Sequence, residues 1–108
     1  IIDSIQKIQK YVEQMEFDDF QKDAKTIDAV IRNFIIIGEA ARYVPDDISD
    51  KYPNIPWRVM GDMLNFAVHE YWGVELRTIW KTIRDDLPPL LPHLNQVIDS
   101  EQGELKSE

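Results

Sequence analysis

The chain has 108 residues, 44% of them apolar, which is enough for one folded domain with one modest core. It has no cysteine, which excludes a disulfide framework and a thiolate metal site and is compatible with an intracellular home. A net charge of −8, from 20 acidic and 12 basic residues, disfavours a broad, sequence-independent grip on nucleic acid and suits a soluble cytoplasmic protein or one with a basic partner.

No apolar run approaches the ~20 residues of a membrane span, so no membrane association is expected. The chain opens Ile1-Ile2-Asp3 without a Met, and its first residues already have helical periodicity. It is expected to begin inside a helix, with part of the native N-terminus missing. Ile1, Ile5, Ile8, Val12 and Met15 form an apolar stripe at helical spacing, and Asp18-Asp19 breaks the pattern, so the first helix is predicted to stop near Phe17. Residues 21–25 read as a polar connector.

The second helix, predicted from Thr26 to Tyr43, differs in kind. Ile27, Val30, Ile31, Phe34, Ile35, Ile37, Ala40 and Ala41 cover most of its circumference, and Ile36 fills another side. A helix apolar nearly all round is buried on more than one side, as in a bundle centre or a subunit interface. Arg32, Asn33, Gly38 and Glu39 interrupt it. Arg32 and Glu39 are two turns apart on one face, as surface or interface ion-pair formers or as the lining of a site.

Pro45, Pro53 and Pro56 mark a loop with one helical turn near Asp47 to Lys51. Pro56-Trp57 suits a helix start, and a third helix is predicted from Trp57 to Val68 with Val59, Met60, Met63, Phe66 and Ala67 on its apolar side, ended by Gly73. Val74, Leu76, Ile79, Trp80, Ile83 and Leu87 give a fourth helix with Arg77, Lys81 and Arg84 facing out. Asp85 or Asp86 is expected to cap a fifth, with Pro88-Pro89 in its first turn and Leu90, Leu91, Leu94, Val97 and Ile98 continuing it. The expected architecture is an all-α antiparallel bundle of four main helices plus a short C-terminal helix. It forms one domain over residues 1–98, and residues 99–108 form an acidic, flexible tail.

Chemistry concentrates in Asn65-Phe66-Ala67-Val68-His69-Glu70-Tyr71-Trp72. His69 and His93 are far apart in sequence, and the paired acids sit at turns and caps, so neither a built-in metal site nor a cofactor is expected. Asn65 lies one helical turn before His69, and Tyr71 two residues after it. The plain reading is a histidine satisfied at a helix end. The functional one is a general acid or base near neutral pH, suited to cleavage of RNA by its own 2′-hydroxyl. That reaction also needs a cation to offset the charge that builds on phosphorus.

Five segments together resemble the HepT-like branch of the HEPN superfamily: Asp28-Ala29-Val30-Ile31-Arg32-Asn33, Ile37-Gly38-Glu39-Ala40-Ala41, Tyr52-Pro53-Asn54-Ile55-Pro56-Trp57-Arg58, Asn65 to Tyr71, and Asp86-Leu87-Pro88-Pro89-Leu90-Leu91. The resemblance implies an antiparallel helical bundle that forms a homodimer. It further implies a metal-independent endoribonuclease toxin with an RNA substrate, paired with a small nucleotidyltransferase (MNT-type) antitoxin that transfers AMP onto a tyrosine. By the same resemblance His69 matches the catalytic histidine, Asn65 the polar motif residue and Tyr71 the AMP acceptor. Arg32 and Glu39 are candidate supporting residues.

One position departs from that pattern. The motif arginine belongs directly before Asn65, where this chain has Leu64. A leucine neither donates a hydrogen bond nor offsets phosphate charge, a loss on the order of several kcal/mol in the transition state. Arg58 is off-face, and Arg32 comes from another helix. Three explanations stand side by side: an engineered inactive variant of a lethal toxin, a natural member kept for binding, or another residue in the arginine's role. The alternative function is therefore a non-catalytic helical module that binds a nucleotidyltransferase partner.

Overall fold

The computed structural model describes residues 1–62 and 76–106, with side chains as far as 103, and every regular element within them is helical. Helix α1 spans Ile2–Val12 and buries Ser4, Ile5, Ile8 and Val12, the stripe predicted from spacing. It stops earlier than predicted. Asp18-Asp19 does not end it but forms the first turn of a separate short helix, α2 (Phe17–Lys22). Glu16 and Asp19 make a reciprocal capping box there, with the Glu16 amide donating to Asp19 Oδ2 at 3.0 Å. Carboxylates are favoured at this end of a helix because its first amides lack partners and carry partial positive charge.

Helix α3 (Ala24–Arg42) is the longest of the described elements. It starts two residues before the predicted Thr26, because Asp23 acts as N-cap and accepts from the Thr26 amide at 3.0 Å. That hydrogen bond also holds the Asp23 carboxyl below its usual value. One face of α3 is fully inside: Val30, Phe34 and Ile37 are 0% exposed, with Ile31, Asn33, Gly38 and Ala41 also buried. The polar interruptions split in two. Asn33 turns inward and donates from Nδ2 to the Ala29 carbonyl at 2.9 Å, whereas Arg32 and Glu39 stay exposed. Ile36, at 40% exposure, lies on their side of the helix.

Helix α4 (Asp46–Lys51) is the predicted turn in the proline-rich loop. Helix α5 comprises the helical residues 57–62, up to the edge of the described chain, so the predicted continuation to Val68 lies outside it. Met60 is buried as expected, but Val59 is 63% exposed. The chain resumes in α6 (Leu76–Lys81), which runs into a π-helical turn at Thr82–Asp86, closed by the Leu87 amide on the Thr82 carbonyl at 3.0 Å. Asp85 and Asp86 therefore belong to this wide turn and do not cap the next helix. Pro88-Pro89 form the turn that follows, and α7 (Leu90–Lys106) begins after them with Pro92 in its first turn. At 17 residues, α7 is not the short helix expected, and it continues past Ile98.

The core joins Ile5, Ile8 and Val12 of α1 to Val30, Phe34 and Ile37 of α3, with Phe20, Met60, Ile79, Leu87 and Leu94 from the other elements. Tyr52, just beyond α4, anchors the far end of α7: its hydroxyl donates to Glu101 Oε1 at 2.7 Å, and Lys51 Nζ lies 3.1 Å from the same oxygen. The Tyr52 bond and then Lys51 hold the Glu101 carboxyl below its ordinary 4.5, and the same bond raises the Tyr52 phenol above 10.0. Ionised Glu101 therefore stabilises the fold above its unfolded value, and that contribution is lost as pH falls through the depressed folded value. Neutral Tyr52 stabilises it below its own unfolded value, until pH rises through the raised one. Tyr52→Phe is expected to lower Tm by a few degrees at pH 7, and the difference from the unsubstituted chain should close below about pH 4. Thermal melts by circular dichroism from pH 7 to 3 measure this, and a constant difference would exclude Glu101 ionisation as its source.

Candidate functional site

The residues that carry the predicted chemistry, Leu64, Asn65, His69 and Tyr71, lie outside the described residues, as does the Gly73 turn. The structure does define the frame on either side of them. Ile55 is 2% exposed and plugs into the core. Pro56 supplies the carbonyl for the Met60 amide at 2.9 Å, and Trp57 Nε1 donates to the Tyr52 carbonyl at 3.1 Å. The Ile-Pro-Trp segment thus fixes where α5 begins and how it leaves the proline-rich loop. Gly61 is buried against α3, where an added Cβ would lie 3.1 Å from Arg42 Cγ. The chain therefore enters the segment of interest beside the C-terminal turn of α3.

It returns through α6, where Trp80 packs on Phe20 and Phe17 of α2, with ring centroids 5.1 and 6.3 Å apart. A pocket between α3, α5, α6 and α7 is lined by apolar Phe34, Pro56, Met60 and Leu90, and also by Asp62, Asp85 and Asp86. Three carboxylates make this pocket a poor seat for a phosphodiester. Arg58, too remote from the motif by spacing, lines a separate depression with Arg42 and Asp62.

Arg32 and Glu39 lie on the outer face of α3, in an exposed row with Asp28, Ile36 and Tyr43 at helical spacing. Two helical turns separate the pair by about 10 Å of axis, and no ion pair joins them among the described residues. The structure thus brings them to one surface without bringing them into contact.

A cluster that sequence reasoning left as outward-facing charge is more organised than its spacing suggests. The Arg77 guanidinium lies 4.6 Å from the Phe17 ring centroid, and that of Arg84 4.5 Å from the Trp80 ring. Arg84 Nη2 also donates to the carbonyls of Val12, at 3.4 Å, and of Met15. It thereby satisfies acceptors that the end of α1 leaves open, and places a cation at the negative end of that helix. The i, i+4, i+7 spacing of Arg77, Lys81 and Arg84 was visible in the sequence. The partners Phe17, Val12 and Met15 were not, being more than fifty residues distant.

Comparison with known proteins accords with this frame. The HepT-like family, described as ribonuclease HepT-like, matches residues 1–97. A protein of Thermococcus cleftensis named probable ribonuclease HepT is 42% identical over 90 residues, covering 83% of this chain and 82% of that protein. A Methanocaldococcus jannaschii protein provisionally named an RNase is 34% identical over 104 residues, covering 96% and 86%. One from Caldanaerobacter subterraneus, named in the same provisional way, is 34% identical over 91 residues, covering 84% and 81%. No solved structure matches the chain significantly. With a family match across nearly its whole length and relatives aligned over most of their own, the chain belongs to the HepT-like ribonuclease family.

Proposed function

We propose that this chain is the toxin partner of a HEPN/MNT toxin–antitoxin pair, a metal-independent endoribonuclease scaffold whose activity the nucleotidyltransferase antitoxin silences by adenylylating Tyr71. The observation that carries this reading is the coincidence of the family match over residues 1–97 with Asn65, His69 and Tyr71 in motif register. In the reaction, the ribose 2′-oxygen attacks the adjacent phosphorus and its proton passes to a base. The bond from phosphorus to the 5′-oxygen breaks, and that oxygen takes up a proton from an acid. The products are a 2′,3′-cyclic phosphate and a 5′-hydroxyl. His69 exchanges these protons near neutral pH, and Asn65 orients it or the phosphate. In silencing, the Tyr71 phenolic oxygen attacks the α-phosphorus of ATP, pyrophosphate leaves, and the bulky anionic AMP group blocks the site.

Leu64 removes the cation that would meet the charge building on phosphorus. The chain as it stands is therefore read as a weakened or inactive nuclease. This position is also what favours the second reading, a non-catalytic module that binds the nucleotidyltransferase. A cytoplasmic setting, where RNA and ATP are present, fits both.

The exposed row on α3 supports a homodimer built through that face. Ile36, at 40% exposure, and Tyr43, at 85%, lie beside Arg32 and Glu39, and an interface there would bring those charges from two subunits together.

Leu64→Arg is expected to produce growth arrest in a bacterial host and cleavage of RNA, each abolished again by His69→Ala. A Leu64→Arg variant that stays inert would speak for the binding module. Incubation with ATP and the nucleotidyltransferase encoded beside this gene should add AMP to the Tyr71 peptide in a tryptic mass spectrum, and an unmodified peptide would remove the proposed silencing. Ile36→Glu should turn a dimer into a monomer by size exclusion with light scattering, whereas a persistent dimer would send the interface elsewhere.

A further inference from the structure

The shallow depression where α2 meets α6 is lined by Phe17, Arg77, Trp80, Lys81, Arg84 and Asp85. Its three cations are exposed on a chain of net charge −8. We infer that Arg77, Lys81 and Arg84 form a binding ledge for the sugar-phosphate backbone of single-stranded RNA, outside the Asn65–His69 motif. The inference rests on the proposed action on RNA and names a surface that would hold the substrate.

The geometry favours phosphate over a generic surface charge. Each arginine is laid over an aromatic ring, Arg77 on Phe17 and Arg84 on Trp80. Packing of this kind settles the side chain in advance, so less entropy is lost when an anion is bound. Nη2 of Arg84 is committed to the Val12 and Met15 carbonyls, but a guanidinium has five N–H donors, so Nε and Nη1 remain to meet a phosphate oxygen. Lys81 makes no hydrogen bond or ion pair among the described residues, and supplies a mobile point charge between the two fixed forks. Asp85 lines the same depression but forms no ion pair with any of the three. Arg77 to Arg84 spans about 10 Å of helix axis, or roughly three nucleotides of a stacked strand at ~3.4 Å each. A structural role accounts for Arg84 as a cap of α1. It does not account for Lys81, or for three cations left without a carboxylate among the described residues.

The test measures binding separately from cleavage. In a His69→Ala background, which keeps the RNA intact, a fluorescein-labelled single-stranded RNA of about 20 nucleotides is titrated by fluorescence anisotropy over a range of salt concentrations. Lys81→Glu is expected to weaken binding roughly tenfold, and Arg77→Gln several-fold, each making the plot of log affinity against log salt shallower by about one. Arg77→Lys should keep most of the affinity. Circular dichroism checks that each variant is folded, and Arg84 is left intact because its loss would also uncap α1. Unchanged affinity and slope in Lys81→Glu would overturn the ledge. So would a parent chain that binds no RNA at low salt, or a loss seen only toward poly-L-glutamate, which would mark a site for an acidic protein. Failure of Leu64→Arg to cleave RNA, with Lys81→Glu still weakening binding, would sink the nuclease reading and leave the ledge as the RNA surface of a non-catalytic chain.

Discussion

Burial of the inner face of α3 is the constraint on which the other helices depend. Val30, Phe34 and Ile37 are fully removed from water, and α1 lays Ile5, Ile8 and Val12 into the same core. Three of the remaining helices, α2, α4 and α6, are six residues long. Helices shorter than ~12–15 residues are marginal in water on their own. They persist because Phe20 and Ile79 each bury a side chain at 0% exposure, and because caps and clasps satisfy their ends. Surface ion pairs add little: Lys7 and Asp3 are 3.2 Å apart, but with 55% and 79% of their side-chain surface in water they are worth about 0–1 kcal/mol. The fold is thus a central slab of α1, α3 and α7 with short helices fastened to it by single large side chains.

That arrangement explains which parts of the fold were legible in the sequence. The α1 stripe and the existence of α3, α4 and α6 followed from apolar spacing, because each buries one face and repeats long enough to be seen. The ends did not follow. Asp18-Asp19 reads equally well as a break or as a first turn, and only the capping box with Glu16 decides it. The π-helical turn at Thr82–Asp86 leaves no mark in a pattern of apolar residues, because Ile83 and Leu87 remain four apart whether the turn is tight or wide. The length of α7 depends on Tyr52 and Lys51, some fifty residues earlier, holding Glu101 in place. Polar contacts between residues distant in sequence have no periodic signature.

The site was legible in another way. No spacing rule separates Asn65–His69 from a histidine satisfied at a helix end. The family match across residues 1–97 supplies the distinction, and it does so for the family, while Leu64 belongs to this chain. The frame around the motif limits what could stand in for the missing arginine. Arg58 opens onto a depression shared with Arg42 and Asp62, and Arg84 is committed to the end of α1. Arg32 is held on the exposed face of α3, where a second copy of the chain would meet it if the dimer forms there. A replacement cation supplied across a subunit interface is therefore the version of the third explanation for Leu64 most consistent with the side chains as they lie.

Charge segregation on the α6 segment reconciles an acidic protein with an RNA substrate. Thr78, Thr82, Asp85 and Asp86 line the pocket toward α3 and α7, whereas Arg77, Lys81 and Arg84 line the depression toward α2. At low ionic strength the whole net charge of −8 repels a polyanion over tens of ångströms. At physiological salt the Debye length falls to about 8 Å, so acids beyond that reach stop contributing while cations in contact with phosphate still act. Added salt therefore has two opposed effects on RNA binding here: it releases distant repulsion and weakens direct contacts. The salt dependence of the intact chain should consequently be shallower than three phosphate contacts alone would give. A small, pre-packed cationic ledge suits an enzyme that grips a short stretch of single strand near its site, and the surrounding acidity keeps the same protein from coating RNA indiscriminately.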